Sequence, residues 1–331
     1  MRHRVTRARS PNRFQRLVII TGILAAVVLL GVLVAVPPII MKDMITGPIA
    51  YDRVYSPGEF GLTADTLTLQ TSDGLRVAPY AVHAPQPQAV VIFVSGIHNP
   101  PVTAFYGHAK MLLDYGYSSV LVEMRAHGDS EGRLIALGYM EYRDILAAVD
   151  YIRGEPEYAG VPIVAYGLSM GGATAINAIG KTSQIDGLIA LSAYSSWESN
   201  FRDNLTAMGA PRIYAALQQP FVRVYTTFRY GWSSFANRPI DNIAKLGDRP
   251  ALLIHSTGDT QIPFANLERL AAKAPAHVET WVREGDLHLI VKEGGFLRPG
   301  EDEEYYKRII GFLDRHFGPA PATVGAAGAA R

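Results

Sequence analysis

A series of short apolar runs, each too short for a helix and none alternating with polar residues, constrains this chain most. Val90–Val94, Val120–Met124, Ile163–Gly167 and Leu188–Ser192 follow one another in the first two thirds of the chain. A strand with one wet face would alternate; runs that do not alternate require cover on both faces. Between them lie stretches of helical period near 104–115, 141–153 and 170–181. After an interval of about fifty residues the pattern resumes with Ala251–His255, a helix near 266–274, Val278–Arg283 and a helix near 303–316. Ahead of the series, Thr66–Gln70 and Val77–His83 flank an Asp73-Gly74 turn and read as an antiparallel pair. Strands alternating with helices specify an α/β fold, a doubly wound and mostly parallel sheet over 45–318. The interval at about 194–246 is not needed for the sheet and reads as a helical cap insertion. In such sheets the loops leaving the carboxyl ends of the strands carry the chemistry.

The chain has 331 residues, no cysteine, and 31 Lys+Arg against 30 Asp+Glu, for a net charge of +1. The absence of cysteine excludes disulfides, thiolate metal sites and a cysteine nucleophile. The charge balance argues against a nucleic-acid partner. One end departs sharply from this average. Residues 1–16 carry six arginines and no acid, and Leu17 to Val36 is interrupted only by Thr21, Gly22 and Gly31. Twenty helical residues span about 30 Å, the thickness of a bilayer's hydrocarbon core. A cleavable signal would have a shorter apolar region of about 7–15 residues and a small-x-small site. Leu33-Val34-Ala35 followed by Pro37-Pro38 makes a poor one. The expectation is an uncleaved transmembrane anchor at 17–40. The basic segment 1–16 is then cytoplasmic and the remaining chain extracytoplasmic. Residues 319–331, rich in Ala, Gly and Pro without periodicity, read as a disordered tail. Nothing in the sequence specifies an oligomeric state.

The pattern G-x-S-x-G occurs twice, at Gly128–Gly132 and at Gly167–Gly171. A nucleophile at a strained strand-to-helix turn needs a strand ending at the first glycine and a helix starting after the serine. Ile163–Tyr166 runs straight into Gly167, and Met170-Gly171-Gly172-Ala173 opens a helix. Ser169 then sits at a helix N-terminus, where free N–H groups favour a developing anion. Ser130 is separated from its strand by Arg125, Ala126 and His127 and is followed by Glu131. Its expected role is structural, in a loop built on Gly128 and Gly132.

A nucleophilic serine requires a base and a group that orients the base. Asp259 falls on the loop after Ala251–His255, and His288 on the loop after Val278–Arg283. The order is therefore Ser…Asp…His, each after its own strand. Asp286 is the alternative acid, two residues from the histidine.

The elbow Gly167–Gly172, the loop Arg125-Ala126-His127-Gly128-Asp129-Ser130-Glu131-Gly132, Asp259 and His288 together resemble α/β-hydrolase fold serine hydrolases. Within these, they resemble the Bem46/ABHD-like and serine-aminopeptidase-like branches over about 60–318. The resemblance implies Ser169 as nucleophile, His288 as base and Asp259 as orienter. It also implies an oxyanion hole from the N–H groups of Met170 and Ile97. Relatives usually carry His-Gly where this chain has Ser95-Gly96. The cap is rich in aromatic residues, and an apolar pocket over Ser169 is expected, with His98, Trp197, Phe201 and Leu287 as its lining. The expected activity is hydrolysis of carboxylic esters or thioesters, of small molecules or lipids, through an acyl-enzyme with no metal or organic cofactor. A peptidase using the same triad and a non-catalytic binding module are the alternatives.

Overall fold

The structure, a computed structural model, describes residues 12–319. The arginines before residue 12 and the tail from residue 320 lie outside the described residues. The chain begins with helix α1 (Arg13–Met41). Asn12 caps it by accepting a hydrogen bond from the Gln15 N–H at 2.8 Å. The strands follow as β1 (Asp65–Thr66), β2 (Leu69–Gln70), β3 (Arg76–Val77), β4 (Tyr80–Val82), β5 (Val90–Val94), β6 (Ser118–Val122), β7 (Ile163–Leu168), β8 (Gly187–Leu191), β9 (Ala251–Ser256) and β10 (Glu279–Arg283). Between them run α2 (Tyr106–Leu113), α3 (Tyr142–Gly154), α4 (Met170–Ile179), α5 (Trp197–Ala207), α6 (Arg212–Tyr230), α7 (Trp232–Phe235), α8 (Pro239–Asn242) and α9 (Ala265–Ala271), and α10 (Glu303–Phe317) ends the series.

Eight strands form one sheet in the order β1-β4-β6-β5-β7-β8-β9-β10. From β6 to β10 every neighbouring pair is parallel, and β4 and β1 extend the sheet antiparallel. Both faces are covered, as the non-alternating runs require. Val90, Ile92 and Val94 point into one layer with Ile145, Val149 and Ile176. Val91 and Phe93 point into the other, with Leu112, Ile309 and Phe312. The antiparallel pair differs from expectation. Each of its two arms is broken, so β2 pairs only with β3 and β1 only with β4. The break in the second arm falls at Pro79, which has no N–H to give a ladder. The neighbouring Ala78 N–H instead donates to Ser130 Oγ at 2.9 Å.

The N-terminal helix also departs from the limits expected of it. Helix α1 runs on through Pro37 and Pro38, and Leu33, Pro37 and Met41 are buried against the domain while the preceding apolar residues are exposed. The segment after it is stitched into the fold. Ile45 accepts from the Ile135 N–H at 3.0 Å, and Gly47 and Ile49 donate to Arg133 and Ala126 at 3.0 and 2.8 Å. Residues 41–44, expected outside the domain, therefore belong to it: Met41 is wholly buried in the core.

In the layer beside α10, His108 is fully buried among Phe93, Phe105, Tyr166, Phe296 and Tyr305, and neither ring nitrogen has a hydrogen-bond partner. Burial pushes its pKa from 6.5 down to about 3. Between those values the unfolded chain binds a proton that the folded chain does not, so stability is full above pH 6.5 and falls as the pH drops. Denaturant unfolding at pH 7 and pH 5 should show the parent chain losing about 2 kcal/mol more than His108→Phe over that interval.

Candidate active site

Strand β7 runs directly into Ser169, which stands at φ 56° and ψ −118° immediately before α4. A positive φ at a non-glycine residue is strained by about 1–3 kcal/mol and persists only where its surroundings enforce it. Here they do, because the turn is packed backbone on backbone. A Cβ on Gly167 would strike the carbonyl oxygen of Gly171, and one on Gly171 would strike the carbonyl oxygens of Val94 and Ser95. The Ser169 N–H is tied to Leu191 O on β8 at 2.8 Å. Its Oγ makes no hydrogen bond among the described residues and faces a cavity of about 290 Å³.

The loop after β5 approaches the same point. A Cβ on Gly96 would lie 3.4 Å from the Ser169 Cβ, so the two backbones are nearly in contact. Ser95 Oγ donates to Pro100 O and closes this loop, in the place where relatives carry histidine. Ile97 and Met170 both line the cavity beside Ser169. The Met170 N–H, at the first position of α4, has no carbonyl one turn back to bond. The Ile97 N–H likewise has no acceptor among the described residues. Two residues whose N–H groups have no recorded acceptor among the described residues thus line the same cavity as Ser169.

Asp259 and His288 leave the adjacent strands β9 and β10. The His288 Nδ1 lies 2.8 Å from Asp259 Oδ2. The other carboxylate oxygen accepts from the Gln261 and Ile262 N–H groups at 2.9 and 2.8 Å. Burial opposes ionisation of Asp259, but His288 and the Ile262 N–H outweigh it and hold the carboxyl below its usual range. The pair is therefore set with an anionic carboxylate and a proton on Nδ1, which leaves Nε2 free to accept. The His288 carbonyl accepts from Ser192 Oγ at 2.8 Å, anchoring the loop to the end of β8, next to the residue that binds the Ser169 N–H. Asp286 turns elsewhere: its carboxylate accepts from Thr260 N and Oγ1 at 3.2 and 2.9 Å. Ser130 is spent on structure, donating to Glu123 O at 2.6 Å while accepting from Ala78.

Trp197 lines the cavity with Tyr194, Asn200 and Asn204, and Gln261 and Ile262 close the side nearest Asp259. Leu137 and Met44 complete it. The other expected pocket residues do not line it. Phe201 is buried in the core of the cap. His98 turns its Nε2 to Met44 O at 2.9 Å, and Leu287 lies outside the lining, its N–H held by Ser256 Oγ at 3.1 Å. No pattern in the sequence marks Met44, which reaches the cavity because the segment after α1 folds back against the loop after β5. No charged side chain lines the cavity.

The serine aminopeptidase S33 family matches residues 85–246. The esterase Pf2001 of Pyrococcus furiosus superposes with a TM-score of 0.63 at 19% identity, over 82% of this chain and 100% of that one. The chain has the α/β-hydrolase fold. An acylaminoacyl peptidase of Pyrococcus horikoshii is also similar, with a TM-score of 0.57 at 17% identity, over 78% of this chain and 42% of that one. By sequence, the protein YqkD of Bacillus subtilis is 26% identical over 217 residues, covering 65% of this chain and 68% of that one.

Within this fold the two candidate acids are distinguished by what they touch. With an activated ester as substrate, Asp259→Asn should lower kcat about 10⁴-fold by releasing the Nδ1 proton from its acceptor. Asp286→Asn, whose partner is Thr260, should stay within about threefold of the parent.

Proposed function

We propose that this chain is a membrane-anchored serine hydrolase that cleaves carboxylic esters or thioesters through an acyl-enzyme. The observation that carries the proposal is an unbonded Ser169 hydroxyl on a strained turn, lining one cavity with Ile97 and Met170, in a fold that also pairs His288 with Asp259 on the loops after β10 and β9. In this reading Ser169 Oγ attacks the acyl carbonyl as His288 Nε2 takes its proton. The negative charge that develops on the carbonyl oxygen is met by the Ile97 and Met170 N–H groups, which need no reorganisation to receive it. The proton on His288 passes to the departing alcohol or thiol. A water then gives its proton to the same nitrogen, attacks the acyl-Ser169 carbonyl, and frees the acid and the serine.

The cavity favours this over cleavage from a free amino terminus. An aminopeptidase must hold the substrate's ammonium, and a buried cation needs a carboxylate. The polar residues of the lining are Asn200, Asn204, Gln261 and Ser169, besides Tyr194, whose hydroxyl donates to Leu137 O, and no carboxylate lines it among the described residues. A neutral acyl group fits that lining. Its 290 Å³ lies at the small end for ligand pockets, which suits chains up to about eight carbons.

For location, α1 is long and apolar enough to cross a bilayer. The arginines before it, against Lys42 alone just after it, favour a cytoplasmic N-terminus and an extracytoplasmic catalytic domain. Its continuation into the core at Met41 favours a helix that stays attached.

A p-nitrophenyl ester series from acetate to laurate, on the full chain in detergent, tests the activity. The rate should peak between about four and eight carbons and fall by more than about 10³-fold in Ser169→Ala. Turnover that survives the substitution, or cleavage of aminoacyl substrates in preference to every ester, would overturn the proposal.

A further inference from the structure

The cap carries an apolar face that nothing in the domain covers. On α6, Ile213, Leu217, Pro220, Val224 and Phe228 are all exposed, at spacings of four, three, four and four residues. That spacing places them on one side of a helix. Trp232 and Phe235 extend the row past the end of α6. The barest of these side chains are Phe228 at 89% and Trp232 at 83% exposure. Phe228 and Trp232 help to line an apolar cavity of about 270 Å³ that opens on this face.

Two observations say what covers it. The first is position. Helix α6 packs against α1. Among the residues of α1, Leu33, Pro37 and Met41 are buried against the domain, and Leu33 lies inside the apolar run Leu17–Val36. From Leu33 to Met41 the helix rises about 12 Å. The domain therefore grips the span before its apolar stretch ends, and α6 stands at the level where α1 leaves the hydrocarbon. The second is charge. Residues 204–240 contain no Asp or Glu and four arginines, Arg212, Arg223, Arg229 and Arg238. Arg212 and Arg229 are exposed on α6 itself. An apolar row flanked by arginines without acids is the composition of a helix lying in a lipid interface.

We propose that α6 and the Trp232–Phe235 turn are seated in the outer boundary of the bilayer that α1 spans, with Phe228 and Trp232 among the acyl chains and Arg212 and Arg229 at the phosphates. This rests on the reading of α1 as an anchor. It fixes how the domain stands on the membrane: the cap lies against lipid, and the cavity wall formed by Met44 is within three residues of the end of the span. Substrates dissolved in the outer leaflet then reach Ser169 past the cap without crossing bulk water.

The full chain reconstituted in phosphatidylcholine–phosphatidylglycerol vesicles containing acyl-brominated phosphatidylcholine tests this. Of the three tryptophans only Trp232 is exposed, Trp197 and Trp281 being buried. Bromolipid should quench the Trp232 share of the emission, iodide in the aqueous phase should not, and Trp232→Phe should remove the quenched component. Phe228→Asp should turn Trp232 outward, shifting its emission to the red and exposing it to iodide. Carbonate extraction of the same vesicles reports on α1 separately. A chain that stays in the carbonate-washed membrane while Trp232 is quenched by iodide overturns the docking and leaves the anchor standing. Trp232 shielded from both bromolipid and iodide would signify a protein contact and overturn it as well. A chain extracted by carbonate refutes the anchor, and the docking with it.

Discussion

The backbone contact between the elbow and the end of β5 governs the rest of the site. Gly171 lies against the carbonyls of Val94 and Ser95, and Gly167 against that of Gly171, with no space for a Cβ at either. This contact drives α4 up against the central strands and forces Ser169 into a positive φ. The same closeness brings the loop after β5 up to the serine, so that Ile97 and Met170 line one cavity with it. Rigidity here comes from packed backbone and the sheet beneath it, which is what a site that must meet charge without moving requires. The strain at Ser169 is held by the burial of both sheet faces rather than by any single bond.

The helix that precedes the domain is part of the same structure. Helix α1 leads into the domain without a free linker. Leu33 and Pro37 of α1 pack on the domain, Met41 is in its core, and residues 45–49 are hydrogen-bonded to the loop that carries Arg125 and His127. That loop is itself clamped by Arg125, whose buried guanidinium pairs with Asp144 and Asp73 at 2.7 Å each. Loss of either carboxylate would leave buried N–H donors of Arg125 without their acceptor. The continuous path from α1 through Met44 to the cavity makes the orientation of the domain on α1 a property of the fold.

Most of the parallel sheet was legible in the sequence because its strands are short, apolar and bounded by helices of the right length. The elbow was legible for a local reason: strand, glycine, serine and helix are contiguous. Asp259 and His288 could be placed because each follows a strand of its own, and the 2.8 Å contact between them agrees with that placement. What could not be read depends on which way a loop turns. His98 follows the cavity residue Ile97 in sequence, yet its Nε2 turns to Met44 O, and Leu287, beside His288, lies outside the lining. The broken antiparallel arms reflect Pro79 and a long-range bond to Ser130. Met44 was invisible because it joins the cavity through contacts some fifty residues away in sequence. The apolar row on α6 was present as aromatic content, but only exposure separates a face that builds a core from one that meets lipid.

The central claim is that one serine, Ser169, is the nucleophile. The most direct measurement is to label the folded full chain with a fluorophosphonate, digest it and map the adduct by mass spectrometry. The account predicts a single adduct on Ser169, formed at a much lower rate in His288→Ala. An adduct on Ser130 or another residue, or a folded chain that takes up no label, would contradict it.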